Sequence, residues 1–92
     1  MDGKKPVLVT TKHRGVFFGF VEPKEAFKQS LTLHGVRNCI YWSKDVGGFL
    51  GLASTGPTDG CRIGKQAPSA LLHGVTSVTD CTEAAVKAWT GK

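Results

Sequence analysis

The sequence predicts a mainly β (α+β) domain, either a small curled antiparallel sheet or a small barrel, with a short C-terminal helix. Three observations carry this. Apolar and polar or β-branched residues alternate with period two through residues 6–11 and 16–21. Twelve glycines in 92 residues exceed the roughly 7% of average usage and suit tight turns between short strands, where helix bundles would not place them. The period becomes helical only near the C-terminus, where Ala85, Val86 and Trp89 recur.

Val7, Val9 and Thr11 alternate with Leu8 and Thr10, which makes a first strand. Lys12, His13, Arg14 and Gly15 turn the chain. A second strand follows, with Val16, Phe18 and Phe20 on one face and Phe17, Gly19 and Val21 on the other. Gly19 inside it predicts a bend or bulge. Residues 22–29 read as a polar loop holding one helical turn. Strand alternation resumes over residues 30–33, and residues 36–42 are apolar and aromatic. Residues 43–48 make a turn, and residues 49–53 read as another short strand interrupted by Gly51. Residues 54–64 form a shaped loop whose glycines and proline forbid a regular helix. Residues 70–73 and 75–78 read as a last strand or strand pair.

Asp80, followed three residues later by Glu83, fits a capping box by position. Residues 82–89 then form a short helix that lays Trp89 on the sheet. Two turns of helix do not stand alone in water, so this one must dock. Residues 30–36 and 69–75 also echo each other (Ser-Leu-Thr-Leu-His-Gly-Val against Ser-Ala-Leu-Leu-His-Gly-Val). The match is too short for a duplicated unit and reads as two strands meeting similar bends at glycine.

Length and composition set limits. Ninety-two residues with 40% hydrophobic and 21% charged side chains fit one globular domain. Small domains often reinforce a thin core by association, so a homo-oligomer is expected. The formal net charge of +5 favours anionic partners through long-range attraction, although Lys4, Lys5, Lys87 and Lys92 lie near the termini and serve solubility. No stretch approaches the roughly 20 apolar residues of a membrane span, and the opening residues carry no signal-peptide pattern. Cys39, Cys61 and Cys81 form no CxxC pair and are expected to be reduced thiols in a cytoplasmic protein, with no metal and no cofactor.

Two segments invite chemistry. Residues 56–65, preceded by Thr55, bring Gly56, Gly60, Arg62 and Lys65 into one glycine-rich loop. Backbone N–H groups of such turns form anion nests, and the two cations add charge. The loop is no P-loop, because Gly60 and Gly64 are three residues apart internally and Gln66 replaces the magnesium-binding hydroxyl. Second, Arg37, Asn38, Tyr41 and Trp42 crowd a guanidinium, an amide and two aromatics into six residues. Bases stack on aromatics for roughly 1–3 kcal/mol each, and Arg or Asn bonds base edges or phosphates. The competing reading makes Ile40 and Trp42 one core-facing strand face, with Arg37 and Asn38 in a turn. Lys12 and Arg14 add cations at the first hairpin.

Catalytic patterns are lacking. His34 and His73 are followed by Gly-Val, with Val36 and Val75 where a two-histidine phosphoesterase needs a hydroxyl. No nucleophile elbow frames a serine. Cys61 beside Arg62 would have a lowered pKa, but no histidine base stands near it in sequence. The chain therefore reads as a non-enzyme.

Arg37-Asn38-Cys39-Ile40-Tyr41-Trp42-Ser43, Gly47-Gly48-Phe49-Leu50-Gly51-Leu52-Ala53, and Gly56-Pro57 through Gly60-Cys61-Arg62-Ile63-Gly64 resemble an uncharacterised family of small phage and prophage proteins. The opening Val9-Thr10-Thr11-Lys12-His13-Arg14-Gly15-Val16-Phe17 is similar to that family's start. The resemblance implies an accessory protein that counters host defence, and supplies no site residues. The strand pattern with its glycine bend is also similar to small SH3-like or Sm-like barrels, a likeness that does not fix function.

The leading expectation is a non-catalytic binder that sequesters an anionic, nucleotide-type signal. Its site residues would be Lys12, Arg14, Arg37, Asn38, Tyr41, Trp42, Thr55, Gly56, Gly60, Arg62 and Lys65. The alternatives are a nucleic-acid-binding barrel and a protein-blocking inhibitor of a host defence component.

Overall fold

A computed structural model describes residues 3–12, 15–25 and 29–91. Strands β1 (Lys5–Thr11), β2 (Val16–Val21) and β3 (Leu31–Tyr41) form an antiparallel meander. A short 3₁₀ turn, Pro23–Glu25, leaves β2. Helix α1 (Gly48–Ser54) and the two-residue strand β4 (Arg62–Ile63) follow, then β5 (Ala67–Leu72), β6 (Val75–Asp80) and helix α2 (Glu83–Thr90). β6 pairs with β1, while β4 and β5 both pair with the edge of β3 that β2 leaves free. The first and last strands of this order are thus brought round toward each other. Among the described residues no ladder joins β5 to β6, so the sheet is curled and unclosed, the first of the two forms expected and not a sealed barrel.

Curling buries both faces, which explains why period-two alternation here sorts two cores instead of core from solvent. Val7, Val9, Val21, Leu31, Leu33, Val36 and Leu72 fill the inside of the curl. Leu8, Val16, Phe18 and Cys39 point the other way, onto Val46, Leu52, Ala53, Ala85 and Trp89 beneath the two helices. The two faces read from the sequence of β2 are these two. Phe18 stacks on Trp89 with ring centroids 5.1 Å apart and planes 5° from parallel, and meets Phe20 edge-on at 5.5 Å.

β3 serves both cores by switching parity. Leu31 and Leu33 face inward, but so does Val36, because one extra residue intervenes at Gly35, whose φ of 56° is left-handed. The ladder shows the slip: Phe18 opposes Arg37 and Phe20 opposes His34. The bend expected at Gly19 is therefore made on the partner strand. Gly19 leaves the space instead, since a Cβ there would sit 3.0 Å from Leu33 Cβ. The two echoing segments prove to be ladder partners, with Leu31 opposite Leu72 and Leu33 opposite Ala70. Their glycines, Gly35 and Gly74, both take positive φ.

Two expectations are corrected. Residues 49–53 are helical, not a strand. A turn at Lys44–Val46 feeds α1, and a Cβ on Gly51 would lie 1.6 Å from the Val46 carbonyl oxygen, a closeness of approach that glycine alone permits. The cap of α2 is Thr82, whose Oγ1 accepts from the Ala85 N–H at 3.1 Å. Asp80 instead ends β6 and pairs with Lys5 at 2.8 Å.

α2 docks by satisfying what α1 leaves open. The last carbonyls of a helix have no partner within it. Here Trp89 Nε1 donates to the Leu52 carbonyl at 3.0 Å, the Thr82 N–H to that of Ala53 at 3.0 Å, and the Thr82 hydroxyl to that of Ser54. Among the described residues no helix is long and apolar enough to cross a membrane.

Candidate ligand-binding site

The two segments singled out in the sequence meet on one face, because β4 lies along the C-terminal half of β3. Cys39 opposes Ile63 and Tyr41 opposes Arg62. Just beyond the ladder, the Gly64 N–H donates to the Asn38 carbonyl at 2.9 Å. Directly opposed residues of antiparallel strands stand about 4.5–5.5 Å apart at Cβ, so the exposed Tyr41 ring and the exposed Arg62 guanidinium share one patch. Asn38 and Lys65 are exposed beside it.

The aromatic cluster is more open than its core reading allows. Ile40 is 57% and Tyr41 59% exposed. Arg37 and Asn38 lie within the strand, not in a turn. Trp42 is half-buried and packs against the outer core. Cys39, Ile40, Tyr41 and Trp42 line a shallow hollow of about 240 Å³. A second, of about 190 Å³, is lined by Phe17, Val36, Asn38, Lys65, Ala67 and Ala70. Both are lined in part by residues of the C-terminal half of β3, which β4 pairs.

Arg37 is committed inward. Its Nε donates to the Gly64 carbonyl at 3.0 Å and its Nη1 to the Trp89 carbonyl at 2.9 Å. The guanidinium thus ties β3 to the β4 loop and to the C-terminal end of α2, where a cation is favoured by the helix dipole. Two of its five donors are used inside the protein.

The glycine loop divides in two. Gly56 is buried, with φ 83°, and its N–H donates to the Gly51 carbonyl at 3.2 Å. A Cβ there would meet Ala88 Cβ at 2.5 Å. Thr55 donates both its N–H and its hydroxyl to the same Gly51 carbonyl. Thr55 and Gly56 therefore terminate α1 under α2 and present no anion nest. Gly60 belongs to the other half, close against Ser43, and leads into Arg62 and Lys65. Lys12 packs at the opposite hairpin, where its N–H donates to the Gly74 carbonyl at 2.9 Å. Arg14 lies outside the described residues, as does His13.

One cluster was not read from the sequence. Ser43, Asp45, Thr58 and Cys61 gather where the turn after β3 meets the loop before β4. The Ser43 hydroxyl donates to Asp45 Oδ1, Ser43 Oγ lies 3.2 Å from Thr58 Oγ1, and Thr58 Oγ1 lies 3.6 Å from Cys61 Sγ. The partners are 2 to 18 residues apart without a spacing rule, and only the β3–β4 register assembles them. Burial pushes the Cys61 thiol up, but hydrogen bonds from Ser43 and Thr58 outweigh it and the pKa is lowered. The lowering expected from Arg62 thus has another source. Burial raises Cys39 to about 11, helped by Cys61, and Cys81 to about 12, helped by Asp80. The arrangement offers hydrogen-bond donors, two outward cations and exposed aromatic surface. Among the described residues no group of three His, Cys, Asp or Glu is placed to hold a metal ion.

No curated protein and no solved structure matches the chain. Residues 4–89 match the family model described as Domain of unknown function (DUF6948), a span that includes β1 to β6, α1, all of α2 but its last residue, and the β3–β4 face. The chain belongs to that family.

Proposed function

We propose that this protein is a non-catalytic binding domain whose β3–β4 face holds an anionic, nucleotide-type ligand. The observation that supports the reading best is the ladder pair Tyr41–Arg62, an exposed aromatic opposite an exposed guanidinium. Asn38 and Lys65 flank it with an amide and a second cation. The base stacks on Tyr41, its edge bonds Asn38, and Arg62 and Lys65 meet the phosphates. Arg37 positions this face from behind through the Gly64 carbonyl. As a phage accessory protein, such a domain would counter host defence by sequestering a nucleotide signal in the host cytoplasm.

The test is calorimetric titration with mononucleotides, cyclic dinucleotides and an adenine dinucleotide, with Tyr41→Ala and Arg62→Ala alongside. Saturable binding that each substitution weakens at least tenfold supports the reading. No heat with any of them, together with no nucleotide released on denaturing protein purified from cells with an active signalling system, overturns it. Binding confined to polynucleotides, with affinity falling steeply with salt, transfers the face to nucleic acid. Capture of one stoichiometric host protein without any nucleotide transfers it to a protein partner.

A further inference from the structure

The smaller of the two hollows has a cause in the sequence of β5. Leu72 opposes Leu31 and both are buried, but Ala70 opposes Leu33 and Ala67 opposes Val36. Leucine fills the inner core at one end of β5, and only alanine does so at the other. The space left there is the hollow of about 190 Å³ lined by Phe17, Val36, Asn38, Lys65, Ala67 and Ala70. Phe17 lies opposite Asn38 and packs on the inner core while only partly covered. The floor is therefore apolar and aromatic, and the polar side chains that line it are Asn38 and Lys65. Neither side chain has a hydrogen-bond or ion-pair partner among the described residues.

This hollow and the Tyr41–Arg62 pair lie along one face. Cys39, Trp42 and Ile63 pack on the outer core. Side chains alternate along a strand, so Asn38, Arg62 and Gly64 turn away from that core. Asn38 and Gly64 lie close enough that a Cβ on Gly64 would overlap Asn38 Oδ1. The step along β3 from Asn38 to Tyr41 is about 10 Å at the usual strand rise.

Small-molecule sites hold roughly 300–1,000 Å³ and join apolar surface to a few polar groups. Neither the hollow of about 240 Å³ beside Tyr41 nor that of about 190 Å³ over the alanines reaches this size alone, and the two together do. A mononucleotide on Tyr41 would leave the alanine hollow and its two unpartnered side chains unused. Taking the β3–β4 face as a nucleotide site, we propose that its ligand is a dinucleotide whose bases are splayed apart, one on Tyr41 and one in the alanine hollow against Phe17. Single-stranded nucleotides are read in this unstacked form. The Asn38 carboxamide, which both donates and accepts, bonds base edges, and Arg62 and Lys65 meet the phosphates.

Calorimetric titration of the full chain tests this with three probes: adenosine monophosphate, a linear adenine dinucleotide, and the same dinucleotide lacking its second base. The complete dinucleotide should bind at least tenfold tighter than either other probe, the effect of stacking one more base. The abasic probe carries the same charge, so an affinity within threefold of the complete one overturns the proposal and leaves Tyr41 and Arg62 as a mononucleotide site. Ala70→Leu fills the hollow and should bring the two dinucleotides within threefold of each other; a gap that persists in the folded variant overturns the proposal. Should that variant fail to fold, methyl resonances of the wild-type protein decide. Those of Ala67 and Ala70 should shift with the complete dinucleotide and stay in place with the abasic one, and methyls that never move overturn the proposal. Absence of binding by all three probes overturns the nucleotide reading and the dinucleotide with it.

Discussion

Replacing Trp89 by phenylalanine isolates how α2 is fastened to the sheet. The indole is fully buried, stacks on Phe18 and donates from Nε1 to the Leu52 carbonyl at 3.0 Å. Phenylalanine keeps an aromatic ring on Phe18 but removes the donor. The Leu52 carbonyl lies in the last turn of α1, where no helical N–H replaces it. Leaving such a buried acceptor unpaired costs about 1–3 kcal/mol. The space vacated by the smaller ring adds about 1 kcal/mol at ~24 cal/mol per Å³ of residual cavity. A loss of about 2–4 kcal/mol corresponds to a melting temperature about 10–25 °C lower in a domain of this size. Urea unfolding followed by fluorescence reads it directly, because Trp42 remains as the other tryptophan. An unchanged slope with a lower midpoint is expected. A loss below about 0.5 kcal/mol, the range of surface substitutions, would refute the reasoning that Trp89 Nε1 completes α1.

Arg37→Ala should destabilise the fold by about 1.5–3 kcal/mol, the scale of hydrogen bonds from a charged donor, because it frees the Gly64 and Trp89 carbonyls. Unchanged stability with lost ligand binding would make Arg37 a ligand residue instead. With iodoacetamide at pH 8, peptide mapping should find Cys61 alkylated before Cys39 and Cys81, since its thiol alone is lowered. Equal rates at all three would contradict the hydroxyl cluster around it. At alkaline pH the sign follows from Cys81, raised by burial from 9.0 to about 12. The folded state keeps a proton that the unfolded chain releases, so stability is full below pH 9 and falls as pH rises from 9 toward 12. Thermal melts across that range should show a shallower fall in Cys81→Ala, and identical slopes would count against the burial of Cys81.

The site was legible in its parts and not in its assembly. Arg37, Asn38, Tyr41 and Trp42 stood out by composition, as did Gly60, Arg62 and Lys65, but their adjacency rests on a ladder between residues some 20 apart. No local spacing encodes that pairing. The same ladder turned Arg37 inward and gathered Ser43, Asp45, Thr58 and Cys61, residues of unremarkable spacing. Thr55 and Gly56 shared the glycine-rich signal of the loop, yet that signal there marks the end of α1. Glycine is selected equally by an anion nest and by close packing, so composition cannot separate the two.

By itself the sequence determined β1 and β2 and the two faces of each. Alternation of side chains is a local property of extended backbone, and Val7, Val9, Phe18 and Val21 obey it wherever the strand lies. It also determined that a short helix ends the chain and must dock through Trp89. Tertiary structure decided the state of residues 49–53, because a short apolar run is helix or strand according to what it packs against. Here Gly51 fits under the Val46 carbonyl and α2 supplies donors for the last three carbonyls of α1. It decided, too, that the curl stays open between β5 and β6. Whether two edges meet depends on the accumulated twist and bends of all the strands between them, a sum that no single segment carries.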